Sequence, residues 1–454
     1  MKQLYFLSLI LMLSSSCAPR LLAPQTPVHE HYIYGELFSH DSLDLNHDWW
    51  ELFGDTTLNQ LVERALDYNR NLWIASSRIE QARQNRMAAR SALLPQFGYD
   101  LSAQGNYNRT NKIVEQYAIT PEASWESPLF GQLRETTKAA QAAFESAVWN
   151  YRGVELSLAA EVATTYFTLL QYERDLLIAQ RTTRLRRESA ALVDSMFRYG
   201  MSSGVDREQS QGLVYSSEAD IPRYQSAIEQ TRLALNTLTG IVPEPITAEG
   251  SGIGLLTDHY PEQLSIGLPS ELLQRRPDIM QAYYALNRAA AEAGLARLKR
   301  FPSILLTAKG GIGANSTKGL LSSNPAIWGA ALGFTGPIFQ FQGLRSNERA
   351  AIEAYNQAAH TYEQTILEAF ADVEKALSMV NANRIEVDRY TQLVVAYRSI
   401  VEMAYALYQN GLSNYLDIID AERTLYSAQM DLVGLIAQQY INYVTLCKAL
   451  GGGW

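Results

Sequence analysis

Apolar positions along this chain keep one of two periods, and the change between them falls at proline. Leu58, Leu61, Ala65, Leu66, Leu72, Ile79, Ala82 and Ala89 recur at helical spacing up to Pro95, which predicts helix. Beyond it Phe97, Tyr99, Leu101, Ala103 and Tyr107 alternate with mostly polar or small residues, which predicts strand. The change then recurs. Leu268, Leu272, Leu273, Ile279, Leu286, Ala289 and Ala296 are helical in spacing up to Pro302, after which Ile304, Leu306, Ala308 and Ile312 alternate, and later Ala326, Trp328, Ala330, Leu332 and Phe334.

Polar stretches at 106–112 and 315–324 divide these regions into two β-hairpins, over residues 96–128 and 303–337. Each hairpin closes at a proline, in Pro128-Leu129-Phe130 and Pro337-Ile338-Phe339. Each alternating segment has about ten residues, the length of a membrane β-strand. A soluble β-subdomain would alternate in the same way. Four strands are fewer than the roughly eight of the smallest closed barrels. A chain that spans a membrane with them must therefore oligomerise.

Residues 135–199 and 345–410 contain no proline, so each can form a helix of ~90 Å or more at ~1.5 Å per residue. Ile366, Phe370, Val373, Leu377 and Val380 step by four and three, the spacing of a coiled-coil seam. Gly200 and Gly411 end these stretches and suit a left-handed C-cap. Ser202/Ser203 and Ser413/Asn414 follow, able to cap a returning helix.

The two tips are one pattern written twice. Phe197 to Asp206 aligns with Tyr408 to Asp417 at a fixed offset (411 − 200 = 211), which holds to Gly240 against Gly451. The prolines repeat at a similar offset (302 − 95 = 207). The halves are thus one structural unit used twice: a first repeat over 48–240, a linker over 241–261 and a second repeat over 262–451.

Composition adds an address. Lys2 and the apolar Leu4–Leu13 stretch lead through Ser14-Ser15-Ser16 to Cys17. The apolar run is too short for a stable anchor and reads as a cleavable signal over 1–16. A cysteine directly after small residues resembles a bacterial lipobox, which makes Cys17 the candidate lipidation site and residues 17–47 a tether. An ordinary signal peptide with an incidental cysteine is the other reading. Cys447, the second of two cysteines, lies in an apolar helical stretch and reads as a buried small hydrophobe. No apolar run of eighteen residues follows the signal. The net charge of −9 among 454 residues argues against a nucleic-acid partner.

No catalytic constellation stands out, so no enzyme activity is expected. The six histidines are scattered, and no phosphate loop, metal-type cysteine spacing or nucleophile elbow is present. No cofactor or metal is expected beyond a covalent lipid on Cys17. Arg276-Pro277-Asp278 reads as a helix start, the proline by its fixed φ and the aspartate by the dipole.

Several stretches carry a resemblance. Leu268-Pro269-Ser270-Glu271-Leu272-Leu273-Gln274-Arg275-Arg276-Pro277-Asp278 is the most specific. With it stand Trp49-Trp50-Glu51-Leu52-Phe53-Gly54-Asp55, Ala219-Asp220-Ile221-Pro222 and Tyr415-Leu416-Asp417-Ile418-Ile419-Asp420-Ala421-Glu422-Arg423. Over residues 48–451 the chain resembles the TolC-like outer-membrane efflux channel family, in its lipoprotein branch of OprM and NodT type. The resemblance implies a mixed α and β, internally duplicated fold. Three identical chains would form a twelve-stranded transmembrane β-barrel continued by a long α-helical coiled-coil barrel with an equatorial domain. It implies a lipid-anchored protein of the outer membrane that extends into the periplasm. The expected function is the passive export duct of a tripartite RND-type efflux pump. Its expected partners are outer-membrane lipid, a periplasmic adaptor and an inner-membrane RND or ABC transporter. A duct for type I protein secretion and a non-channel periplasmic coiled-coil scaffold lipoprotein remain alternatives.

At the second tip Asp417 and Asp420 are three residues apart and share a helix face. Threefold symmetry would multiply them into a ring of carboxylates, which favours cations. Leu416 beside them is a candidate hydrophobic constriction, and Arg423 a candidate ion-pair partner for Asp420. The resemblance implies that Leu416, Asp417, Asp420 and Arg423 form a periplasmic gate, with Asp206 the first-repeat counterpart of Asp417 and Tyr408 one turn before the cap. Some relatives carry an arginine where this chain has Ser413. Plain helix N-terminal stabilisation, at about 0.3–1 kcal/mol each, is the other reading of the aspartates.

Overall fold

Helical and β-hairpins follow one another along the chain at the places the two periods indicate. The structure, a computed structural model, describes residues 24, 31–35, 38, 47–108, 112–127, 130–242, 266–320, 326–340 and 342–452. The signal-peptide reading, Cys17 and the linker from residue 243 fall outside them.

After a helical turn at Trp49–Phe53, the first repeat runs through α1 (Thr56–Tyr68), α2 (Arg70–Ser91), β1 (Gln96–Asn108), β2 (Lys112–Ser127), α3 (Gln132–Arg198) and α4 (Gly204–Leu238). The second has α5 (Pro277–Leu298), β3 (Ser303–Ala314), β4 (Ala326–Thr335), α6 (Gly343–Gln409) and α7 (Tyr415–Ala449). The duplication is kept to the residue. Helices α3 and α6 have 67 residues each, α4 and α7 have 35 each, and their starts keep one offset (343 − 132 = 211; 415 − 204 = 211). Helices α2 and α5 have 22 residues each and stand 207 apart (277 − 70 = 207).

Compact units run across the repeats. Among the described residues one unit draws on 76–150 and 280–365, the other on 31–75, 151–279 and 366–452.

The first unit holds one antiparallel sheet in the order β1-β2-β3-β4, so β2 and β3 join the repeats. Directly paired residues lie on one face and successive residues on opposite faces. The register therefore sorts the side chains. Phe97 pairs with Ala123, Leu101 with Ile119, Trp125 with Leu306, Leu306 with Leu332, Ala308 with Ala330 and Ile304 with Phe334. That face is apolar apart from Glu115 opposite Gly105 and Ser127 opposite Ile304, and several of its large members are exposed, Phe97 at 83% and Trp328 at 88%. The opposite face carries Gln96, Asp100, Ser102, Gln104, Gln116, Glu122, Ser124, Thr307 and Lys309. Lys309 Nζ meets Glu122 Oε2 there at 3.1 Å. Strands β1 and β4 are edges without a partner strand among the described residues.

The second unit holds the main core. Trp49, Trp50 and Phe53 pack with Leu58, Val62, Tyr166, Phe167, Leu235, Val373, Tyr440 and Cys447. Burial pushes the Cys447 thiol up to about 12, so it stays a neutral thiol in that core. Asp55 caps α1 by accepting from the Thr57 and Leu58 N–H groups at 2.8 and 3.2 Å, and its second oxygen accepts from Tyr166 Oη at 2.7 Å. Residues 32–34 dock here too. Tyr32 is buried, and the Ile33 and Tyr34 N–H groups donate to the Glu374 carboxylate at 2.7 and 3.1 Å.

Each repeat is closed by the same joint, built from different residues. Asn69 Nδ2 donates to Leu238 O, near the end of α4, at 2.8 Å. Arg276, at the matching place before α5, donates from Nη1 to Ala449 O at the end of α7 at 3.1 Å, and to Ala369 O at 3.2 Å. Its Nε and Nη2 fork onto Asp278 at 3.1 and 2.7 Å, and Nη2 also reaches Asp372 at 3.0 Å. So the Arg-Pro-Asp stretch does start a helix, and its arginine is a buried clamp as well. Gly240 in the first joint has φ 70°, and a Cβ there would lie 2.3 Å from Tyr68 O.

Candidate functional site

The second tip is made by a glycine that stops α6 and an asparagine that starts α7. Gly411 has φ 70°, its N–H donates to Tyr408 O at 2.9 Å, and the Leu412 N–H donates to Leu407 O at 2.9 Å. That is a Schellman cap, which satisfies the last carbonyls of α6. The first tip repeats it: Gly200 to Phe197 O at 2.9 Å and Met201 to Met196 O at 2.8 Å. Asn414 then caps α7, its Oδ1 accepting from the Asp417 N–H at 3.2 Å.

The first two turns of α7 have two faces. Tyr415, Ile418 and Ile419 turn inward onto Val193 of α3, Leu213 of α4 and Ala404 of α6. Leu416, Asp417, Asp420 and Arg423 lie together on the outward, exposed face. Among the described residues the two aspartate carboxylates take no hydrogen bond and no ion pair, and the expected Asp420–Arg423 ion pair is not formed. An exposed pair of this kind gains only ~0.3–0.5 kcal/mol, too little to fix two solvated side chains.

The other two candidates sit elsewhere. Asp206 belongs to the first tip's capping box: its Oδ2 accepts from the Ser203 N–H and the Ser202 hydroxyl, both at 3.1 Å. Ser203 Oγ in return accepts from the Asp206 N–H at 3.1 Å. Its carboxylate therefore serves the helix end. Tyr408 turns inward, half-buried, with its ring centroid 5.4 Å from that of Tyr415.

Behind the outward face lies a polar chain that the motif reading missed. Arg186 of α3, 4% exposed, places Nε 3.5 Å from Glu422 Oε2 of α7, and its Nη1 donates to Leu213 O at 3.3 Å. Tyr405 Oη donates a short hydrogen bond to the same Glu422 carboxylate. Ser189 Oγ and Tyr415 Oη share a hydrogen bond at 3.2 Å. One turn further, Tyr426 Oη donates to Asp220 Oδ2 at 2.8 Å, and Arg223 pairs with the other Asp220 oxygen at 3.0 Å. Burial, with Glu422 and Asp220 beside them, raises Tyr405 and Tyr426, so both remain neutral donors. Asp175 of α3, also buried, is pushed up to about 7 by desolvation, against the pull of Arg223. These links tie the first helical hairpin to the second. One signal was available: Asp175, Ala179, Thr183, Arg186, Ala190 and Val193 step by three and four, which sets two charged residues on an apolar seam.

Comparison with known proteins gives a consistent result. A family model described as "Outer membrane efflux protein" matches residues 61–241 and 268–452. The cation efflux system protein CusC of Escherichia coli is 28% identical over 460 residues, covering 100% of this chain and 99% of CusC. The toluene efflux pump outer membrane protein TtgF of Pseudomonas putida is 30% identical over 476 residues, covering 99% and 97%. Among solved structures, the outer-membrane channel OprN superposes with a TM-score of 0.88 at 26% identity, covering 96% of this chain and 99% of that one.

Proposed function

The chain belongs to the outer membrane efflux protein family, and from that premise we propose how its parts divide the work of an outer-membrane export channel. It is the outer-membrane component of an efflux pump. The observation that carries the finer reading is the two-faced sheet, apolar on one side and polar on the other, with both edges open. In a bilayer no backbone edge can stay unpaired. Three copies joined from β4 to β1 would close twelve strands, with the apolar face to lipid and the polar face to a water-filled lumen. A periplasmic scaffold would have no use for such a face.

The paired 67- and 35-residue helices contribute four helices per copy to a tunnel across the periplasm. A periplasmic adaptor and an inner-membrane transporter complete the pump and supply the energy. Cys17 carries the lipid anchor, which palmitate labelling of wild type and Cys17→Ala tests.

Leu416, Asp417, Asp420 and Arg423 form the periplasmic gate. Their shared outward face and the unengaged carboxylates support this, and the proposed trimer would repeat them three times around its axis. Carboxylates brought around one axis favour cations and narrow the opening to anions. Alanine at Asp420 or Arg423 is expected to raise single-channel conductance in a planar bilayer. Conductance unchanged in both variants would remove the gate from this face while leaving the channel reading intact.

A further inference from the structure

All four junctions between strands and helices lie at one end of the sheet, and cations collect there. Arg90 ends α2, Arg134 stands in the first turn of α3, Lys299 and Arg300 follow α5, and Arg345 and Arg349 occupy the first two turns of α6. All six are exposed. Arg300 pairs with Glu348, and among the described residues the other five take no ion pair. Glu135 is already engaged by Lys138 at 2.6 Å.

Helix dipoles account for Arg90, Lys299 and Arg300 at the C-terminal ends of α2 and α5, but not for Arg134, Arg345 and Arg349 at the starts of α3 and α6. A helix N-terminus favours anions, yet α6 has no acidic residue in its first turn and carries Arg345 there. Beside the cations stand exposed apolar side chains: Leu94, Phe301, Ile338 at 97% and Phe339 at 82%. Phe130 and Phe301 stack with centroids 5.6 Å apart. These side chains stand at the junction end of the sheet, just outside its paired strands. Apolar anchors with unpaired cations at their border match one chemistry: acyl chains ending in anionic phosphate.

We propose that this collar binds anionic glycerophospholipid headgroups at the periplasmic surface of the outer membrane and sets the depth of the sheet in the bilayer. The inference rests on the membrane-spanning reading above. The sheet supplies contact with the acyl chains. The collar adds charge selectivity, at about fivefold in lipid preference per cation, weakened by salt because the charges are exposed.

The test uses the full-length protein inserted into vesicles of equal dioleoylphosphatidylglycerol and dioleoylphosphatidylcholine, with retained lipids counted by native mass spectrometry. Heat-modifiable migration after insertion into phosphatidylcholine alone is the control for folding and spanning. Wild type is expected to retain phosphatidylglycerol preferentially. Arg345→Gln with Arg349→Gln lowers that preference by about fivefold per cation, and Arg398→Gln, far along the same helix, leaves it unchanged. Insertion without any preference for phosphatidylglycerol, or a preference the double variant keeps, overturns the collar alone. Failure to insert into either lipid overturns the spanning reading, and the collar with it.

Discussion

Replacing Arg276 by methionine tests whether one buried guanidinium closes the second repeat. The residue is 8% exposed and holds two backbone carbonyls, Ala369 O and Ala449 O, on residues that are themselves buried. Methionine fills much of the volume and satisfies neither. Ala369 O, inside α6, keeps its own helical donor, so Ala449 O at the end of α7 is the acceptor left orphaned, at about 1–3 kcal/mol. The two carboxylate partners add less, because Asp278 and Asp372 have side chains 48% and 57% exposed and regain water. Their share is about 0–1 kcal/mol each. The total is about 1–5 kcal/mol, most of it from the Ala449 carbonyl. Arg276→Lys keeps the charge without the fork and falls between the two. Asp278→Asn and Asp372→Asn each cost about 1 kcal/mol or less. Thermal unfolding of the detergent-solubilised protein, followed by tryptophan fluorescence, reads the order directly, since Trp49 and Trp50 lie in the same unit's core. An Arg276→Met loss no larger than that of Asp278→Asn would refute the argument, because the Ala449 carbonyl would then have found another donor.

Three further outcomes follow from the same structure. The Asp175 carboxyl is raised from 3.8 to about 7, so the folded state holds a proton that the unfolded chain releases. The stability from that proton is full below about pH 4 and is lost as pH rises to about 7. Asp175→Asn is therefore expected to melt above wild type at pH 8 and level with it near pH 4; parallel curves would refute this. Gly411→Ala meets open space at φ 70° and costs about 1–2 kcal/mol of left-handed strain. Gly240→Ala, with its Cβ 2.3 Å from Tyr68 O, is expected to cost well beyond that, checked by the same melts. Ala308→Lys puts a charge on the apolar face and is expected to cost about 2–4 kcal/mol in the bilayer, whereas Thr307→Lys on the polar face is tolerated. The fraction of heat-modifiable protein reads both.

Much of this fold is local, and so it was open to a reading of the residues. Gly200 and Gly411 announce their caps because a left-handed position admits few other residues. The two faces of the sheet follow from alternation once the strands are placed. The joints at Asn69 and Arg276 were hidden, because the same contact is made by residues of different type. The Arg-Pro-Asp spacing marks only the start of a helix, and the carbonyl partners of Arg276 lie 93 and 173 residues away. At the tip, spacing put Leu416, Asp417, Asp420 and Arg423 on one face, but spacing does not say whether neighbours touch. The Asp420–Arg423 contact failed for that reason. The chain from Arg186 through Glu422 to Tyr405 joins three helices, and no single helix carries its pattern.

The equal lengths of the paired helices act as a gauge. A seven-residue deletion from α6 alone keeps its seam in phase but draws its end back by ~10 Å. Gly411 would then stop short of α7, and the second tip would no longer be level with the first. Trimming α7 to match would restore its own hairpin and still leave the two hairpins unequal. Only four coordinated cuts, one in each of α3, α4, α6 and α7, keep both tips at one height. Variation in the reach of this protein is thereby confined to whole heptads removed or added in fours, and a single insertion anywhere in the 204 residues of these four helices breaks the gauge.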